Sequence, residues 1–242
     1  MKQTSNTAIV LRYANYREQD RMLTLFSPTR GRVEAVARGC RKPKSHLLSA
    51  SELFSLGDFE LFEKNGRATV IGFTPIESFY PLRADYDRLT CGVYLLALCE
   101  AAVQPGAQEQ DLFMLLLHTL SRLAFTDQPW EGLVTGFLHN YAACQGMRPR
   151  LRHCIRCGRR VGDEEPASFD LREGGLVCAD HGAQGLPRLT PADRRFLRHA
   201  EETPASQWLA APDRTPPLGV MRQYVESRLD LPLRAKLPEV AR

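Results

Sequence analysis

The first eighty residues alternate in the manner of strands. Thr7-Ala8-Ile9-Val10-Leu11 is an apolar, β-branched run, and Arg21-Met22-Leu23-Thr24-Leu25-Phe26 is a second. The second stops at Ser27-Pro28-Thr29-Arg30-Gly31, a turn that holds both breakers. Arg32-Val33-Glu34-Ala35-Val36-Ala37-Arg38 then alternates with period two. It sets Val33, Ala35 and Ala37 on one face and Arg32, Glu34, Val36 and Arg38 on the other. Two further runs, Leu53 to Phe62 and Gly66 to Phe73, are joined through Asn65-Gly66, a strong hairpin signal. Five strands in about 75 residues predict a small closed barrel of the OB type, with a small open sheet as the plainer alternative.

From Ala84 the period lengthens to that of helices. Leu89, Val93, Leu96 and Ala97 share one face. Leu112, Leu116, Leu120 and Leu123 share another, and Phe113 and Leu117 widen it until that segment must be largely buried. Asp127 is placed to cap a third helix carrying Leu133, Phe137, Leu138 and Tyr141, which Gly146 can end. Ala167-Ser168-Phe169-Asp170 and Gly174-Gly175-Leu176-Val177 read as a small hairpin. Thr190-Pro191-Ala192-Asp193 is a capping box with proline at the first helical position. A Pro-rich stretch over 204–217 leads to a last helix over Leu218, Met221, Tyr224, Val225 and Leu229. The expected class is α+β. A five-stranded OB-fold barrel over 1–80 precedes an α-helical domain over 81–242, which carries an inserted module at 148–185.

That module holds the most specific chemistry in the chain. Cys154 and Cys157 are followed, after twenty residues, by Cys178 and His181. Two tight C-x2-C and C-x2-H turns aim four ligands at one point, which suits tetrahedral Zn²⁺. With all four positions filled by protein, no site is left for a water nucleophile, so one structural zinc is expected. Asp180 and His153 compete for the fourth place, but only His181 repeats the two-residue spacer. A redox C-x-x-C usually opens a helix after a strand. Here Arg148, Arg150, Arg152, Arg156, Arg159 and Arg160 flank the pair and Gly162 follows, as in a surface knuckle.

Composition narrows the function. A chain of 242 residues with 25% charged residues has room for one large domain or two smaller ones. The polar start has no signal-peptide core, and the longest apolar runs, such as Tyr94 to Cys99, are far too short to span a bilayer. Of seven cysteines, Cys40, Cys91, Cys99 and Cys144 stand outside the metal motif without pattern, as expected of a reducing cytoplasm. Neither a P-loop nor a G-x-G-x-x-G motif is present, and Cys40 has no catalytic partners in view. His199-Ala200-Glu201 imitates part of a deaminase motif, but it follows the cysteines instead of preceding them.

The net charge of +4 is unevenly spread. Residues 1–50 hold ten Lys/Arg against three acids, whereas residues 85–130 hold two Arg against six acids. Arg38, Arg41, Lys42 and Lys44 fall within the connector Arg38-Gly39-Cys40-Arg41-Lys42-Pro43-Lys44-Ser45. With Arg30 and Arg32 they are expected to form a positive patch at one end of the barrel. Such a surface draws phosphate backbones, and Tyr13, Tyr16 and Phe26 are candidate rings for stacking bases. A solvated loop that serves only solubility is the alternative.

The ordered series of segments resembles a known family. Ala8–Leu11, Tyr16–Arg21, Leu23–Ser27 and Gly31–Gly39 resemble the N-terminal domain of the RecO family of bacterial recombination mediators. The likeness continues through Phe137 to Gly146, Cys154-x-x-Cys157-Gly158, Phe169-Asp170, Gly174 to Cys178 and Leu231-Pro232-Leu233-Arg234. It implies a non-catalytic protein of the cytoplasm and nucleoid that binds single- and double-stranded DNA and anneals complementary strands. It also implies help in loading recombinase, with RecR and the single-strand-binding protein as partners and no membrane. The DNA-binding residues it implies are Arg30, Arg32, Arg38, Arg41, Lys42 and Lys44. Zinc-bearing members commonly have Cys where His181 stands, and the family's Ser after Pro-Leu-Arg is Ala235 here. A zinc-knuckle adaptor that meets an acidic protein partner is the rival reading.

Overall fold

The computed structural model describes residues 2–182, 184–207 and 216–239. Five strands, β1 (Lys2–Tyr16), β2 (Asp20–Ser27), β3 (Gly31–Ala37), β4 (Leu56–Lys64) and β5 (Arg67–Glu77), form a closed barrel in the order β1-β2-β3-β5-β4. β3 runs parallel to β5, pairing Ala35 with Ala68 and Val36 with Thr69. β4 closes antiparallel on β1 from Lys2 opposite Glu63 to Ile9 opposite Leu56. This is the expected OB arrangement rather than an open sheet.

The alternation in β3 has the predicted sense. Ala35 and Ala37 lie in the core with Ala8, Val10, Leu23, Leu25, Phe59, Leu61 and Val70, and Val33 packs against it. The small side chains from β3 leave room for the connector to plug the barrel with Cys40, Leu47 and Ala50. The Asn65-Gly66 turn has φ of +50° and +73° at its two residues, the doubly left-handed backbone of a tight hairpin.

Strand limits differ from the pattern for local reasons. β1 extends five residues upstream of Thr7, because its polar start is held by pairing with β4. β4 begins at Leu56 instead of Leu53, since Phe54 is left-handed at φ +69° and breaks the strand. β5 passes Phe73 and continues through Pro75 to Glu77.

The helices are α1 (Tyr86–Ala102), α2 (Gln110–Phe125), α3 (Trp130–Cys144), α4 (Pro191–Glu202) and α5 (Leu218–Glu226). Asp85 caps α1 by accepting from the Arg88 N–H at 3.0 Å. Asp127 does not cap α3. Pro129 occupies the capping position with no side-chain bond, and Asp127 lies too far upstream to reach the first turn. Gly146, at φ +71°, ends α3 as expected, and the next N–H, from Met147, returns to Ala142 at 2.7 Å. The capping box of α4 is complete: Asp193 N–H donates to Thr190 Oγ1 at 3.2 Å and Thr190 N–H to Asp193 Oδ2 at 2.8 Å. α5 stops before Leu229, and most of the Pro-rich stretch ahead of it lies outside the described residues.

By compactness the chain groups into Met1–Leu120 with Arg234–Arg242, and Ser121–Leu233. The barrel itself ends at Glu77, near the boundary expected at 80, but α1 and most of α2 group with it. In the second unit α3 packs against α4 and α5, and Tyr224 of α5 donates to the Met147 carbonyl at 2.7 Å. The expected hairpin is present as β6 (Ala167–Asp170) and β7 (Gly175–Val177). A third strand, β8 (Arg188–Leu189), pairs with the other edge of β6, and its two residues are too few to leave a pattern. Among the described residues, no helix is long and apolar enough to cross a membrane.

Candidate metal centre and nucleic-acid interface

The first knuckle is a backbone turn. Gly158 N–H returns to the Cys154 carbonyl at 2.9 Å, and Cys154 N–H donates to the Arg159 carbonyl at 2.8 Å. Ile155 N–H donates to the Leu176 carbonyl at 2.8 Å, which ties this turn to β7. β7 delivers Cys178, and a short 3-10 turn at Ala179–His181 brings the fourth residue round.

The donor atoms of Cys154, Cys157, Cys178 and His181 all lie within 4.8 Å of one another. Cys157 Sγ is 3.9 Å from Cys178 Sγ, and Cys178 Sγ is 3.2 Å from His181 Nδ1. A tetrahedron of thiolates at 2.3 Å from a zinc ion has edges of about 3.8 Å, so the donor set fits that ion. Cys154 and Cys178 are buried, while Cys157 and His181 face solvent. The two competitors stand outside the cluster. The Asp180 carboxylate lies 3.7 Å from Arg159, and His153 bridges backbone to backbone with Arg160.

The thiols are unequal. Burial pushes Cys154 up, but the backbone N–H groups of Cys178, Cys157 and Arg156 outweigh it and hold the thiol below its usual range. Cys178 is likewise lowered: burial raises it, and bonds from Cys154, Arg159, Cys157 and the His181 backbone prevail. At Cys157 the Arg159 backbone lowers the thiol, yet burial and the two neighbouring sulfurs leave it raised.

The barrel cations do not gather at one end. β3 has seven residues and so spans about 20 Å, with Arg30 and Arg32 at its start and Arg38 at its close. Arg30 is partly buried, paired with Glu63 at 2.6 Å. Arg32 sits opposite Phe26 in the β2–β3 ladder. Arg38 lines a groove of about 770 Å³ with Phe62, Lys64, Asn65, Arg67 and Ile71. Arg41 donates from its guanidinium to the Glu18 carbonyl at 2.9 Å, which pins the connector to the β1–β2 turn. Lys42 and Lys44 are exposed.

Lys64, Arg67 and Arg17 were not picked out from the sequence. The first two flank the Asn-Gly turn, where they read only as hairpin residues; their signal was the turn's place on an OB barrel. Phe26 is a correction. It is fully buried and meets Phe113 edge-on at 5.2 Å, so it cannot stack a base. Tyr13 and Tyr16 are exposed, each beneath a guanidinium: Arg21 at 4.0 Å and Arg17 at 5.2 Å from the ring centres. Cys40 is buried in the barrel core.

Comparison with known proteins gives a consistent result. Residues 1–79 match the family described as recombination protein O N terminal, and residues 83–237 match recombination protein O C terminal. The DNA repair protein RecO of Alkaliphilus metalliredigens (strain QYMF) is 36% identical over 177 residues, covering 73% of this chain and 70% of that protein. The DNA repair protein RecO of Anaeromyxobacter dehalogenans (strain 2CP-C) is 32% identical, covering 98% and 95%. That of Desulforamulus reducens is 31% identical, covering 94% and 90%.

Proposed function

The chain belongs to the RecO family of DNA repair proteins, and from that premise we propose that it is a non-catalytic DNA-binding and strand-annealing mediator. It acts in the cytoplasm, at the nucleoid. It binds single- and double-stranded DNA on the barrel and helps load recombinase onto strands coated by single-strand-binding protein, with that protein and RecR as partners.

The observation that carries this reading is the groove lined by Arg38 at the end of β3 and by Lys64 and Arg67 of the β4–β5 hairpin, beside the basic connector. In OB barrels the hairpin loops and the face of strands 2–3 bind oligonucleotides. Annealing demands no bond chemistry. It requires phosphate repulsion to be neutralised while base edges stay free to pair. A groove with exposed cations at its rim favours the phosphate backbone over base edges.

The Cys154, Cys157, Cys178 and His181 cluster holds one structural Zn²⁺ in this reading. The ion would supply folding free energy to the module, and the four ligands leave it no open position for catalysis.

A fluorescence titration of labelled single-stranded DNA at several salt concentrations tests the interface. Alanine at Arg38, Arg41 and Lys44, or at Lys64 and Arg67, should weaken binding alike across sequences. Each lost contact should shrink the slope of log K against log salt by roughly 0.7. Unchanged slopes in both variants would remove the barrel from the DNA footprint.

A further inference from the structure

We propose that single strands lie on the outer face of β3, β5 and β4, not on that of β2 and β3, and that Phe62 and Ile71 on the floor of the basic groove meet their bases. The inference rests on the reading that the barrel binds DNA.

The pleat decides which side chains face outward, because successive residues of a strand point to opposite faces. Ala8, Val10, Leu23 and Leu25 point into the barrel core, so Ile9 and Leu11 of β1 and Thr24 and Phe26 of β2 point out of it. All four are nevertheless buried. The chain covers them with its own helices. α1 packs against β1 and β2, and its Glu100 pairs with Arg12 at 2.6 Å. Phe113 of α2 meets Phe26 edge-on. The segment between these helices closes over the β2–β3 turn. Gly106 N–H donates to the Arg30 carbonyl at 2.8 Å, Glu109 N–H to that of Pro28 at 3.0 Å, and Arg32 N–H to that of Gln104 at 3.2 Å. An oligonucleotide cannot reach the face of β2 without displacing this packing.

The neighbouring face is open. Leu61, Ala68 and Val70 are core, which turns Phe62 of β4 and Arg67, Thr69 and Ile71 of β5 outward into the groove beside Arg38. Among the described residues that groove is lined by three cations, Arg38, Lys64 and Arg67, and by no acid. Glu34 of β3 also points outward, but its carboxylate oxygens accept from Thr24 Oγ1 at 3.1 and 3.2 Å, which holds it over β2.

The groove is not purely a phosphate site. Ile71 is 42% exposed, and the Phe62 ring is partly exposed beside it. Apolar surface set between cations has nothing to offer a phosphate. It suits the flat face of a nucleobase whose own backbone stays within reach of the three cations, a combination that tolerates any sequence because every base has such a face.

The test uses the full-length protein, with a labelled oligothymidylate and a labelled duplex of the same length, each titrated at several salt concentrations. Phe62→Ala should weaken single-strand binding by about fivefold, the low end for a ring beneath a base. Its salt slope and its duplex affinity should match the wild type, because no phosphate contact is lost and paired bases offer the ring no face. Ile71→Thr should show a smaller loss of the same kind, and Phe62→Trp should restore wild-type binding. Tyr80→Ala removes an exposed ring outside the groove and should change nothing. Unchanged single-strand affinity in both groove-floor variants overturns the inference, as does an equal loss on duplex, which would make Phe62 a structural residue. Should Phe62→Ala not fold, photocrosslinking of the wild type to a 5-iodouracil oligonucleotide serves instead. An adduct at Phe62 is expected, and its absence while other residues are labelled overturns the inference. If alanine at Lys64 and Arg67 also leaves affinity and slope unchanged, the barrel reading itself fails, and this inference with it.

Discussion

The guanidinium of Arg30 lies 2.6 Å from the carboxylate of Glu63, one residue before the lysine that rims the barrel groove. A cation already held by a carboxylate has less to offer a phosphate than one in open solvent. Glu63→Gln should therefore free Arg30 and steepen the salt dependence of single-strand binding by up to roughly 0.7 in slope. Arg30→Ala should cost less affinity than Arg38→Ala. Salt-dependent titrations of the three variants check this, and a flatter slope in Glu63→Gln would count against it.

Aromatic residues on the barrel should separate into two classes. Phe26 is core, edge-on to Phe113, so Phe26→Ala should lower stability by about 3–5 kcal/mol, read as a fall in Tm. Tyr16→Ala lies on the surface and should leave Tm nearly unchanged while weakening single-strand binding. The reverse pattern would mean that the stacking face is elsewhere.

Removal of a metal ligand should act on the second unit. Cys154→Ser or Cys178→Ser should lose about one zinc per chain and destabilise the module, since metal-binding free energy is folding free energy there. His181→Ala should lose the metal and Asp180→Ala should keep it. Elemental analysis of the purified variants decides between them. DNA affinity should fall less than in the groove variants, because the ligands touch no phosphate.

His139 gives a pH prediction. It is fully buried on α3, and neither ring nitrogen has a hydrogen-bond partner among the described residues. Burial drives its pKa from 6.5 to about 4; Glu201 opposes the shift and Arg148 adds to it. Between those values the unfolded chain binds a proton that the folded chain refuses, so stability falls as pH drops from 6.5 towards 4. The full loss is on the order of 3 kcal/mol. In His139→Leu that part of the pH dependence should vanish, and neutral-pH stability should hold or rise, since no buried polar atom is left unpaired. Denaturant midpoints of both proteins across that range provide the measurement.

The parts of the fold legible in the sequence were those written by short-range physics. The period-two run of β3, the Asn65-Gly66 turn and the Thr190 capping box each depend on residues a few positions apart. The C-x2-C and C-x2-H spacers made the metal cluster legible for the same reason. What sequence hid depends on contacts distant along the chain. Phe26 looked like a stacking ring because nothing local announces Phe113. Asp127 is the exception, a local misreading: Pro129, two residues on, takes the capping position. Lys64 and Arg67 gain meaning only when the barrel brings β5 beside the end of β3.

Leu237 is buried, and the stretch from Arg234 onward groups with the unit that begins at Met1. That unit is discontinuous in the order of synthesis. The five strands have left the ribosome by the time Glu77 emerges and have every hydrogen-bonded neighbour they need to close. The last piece of the same unit arrives only after the whole second unit has been made. On the ribosome the first unit therefore passes through an interval in which its barrel can close while its last segment is still missing, and a chain cut short before Arg234 would remain in that state.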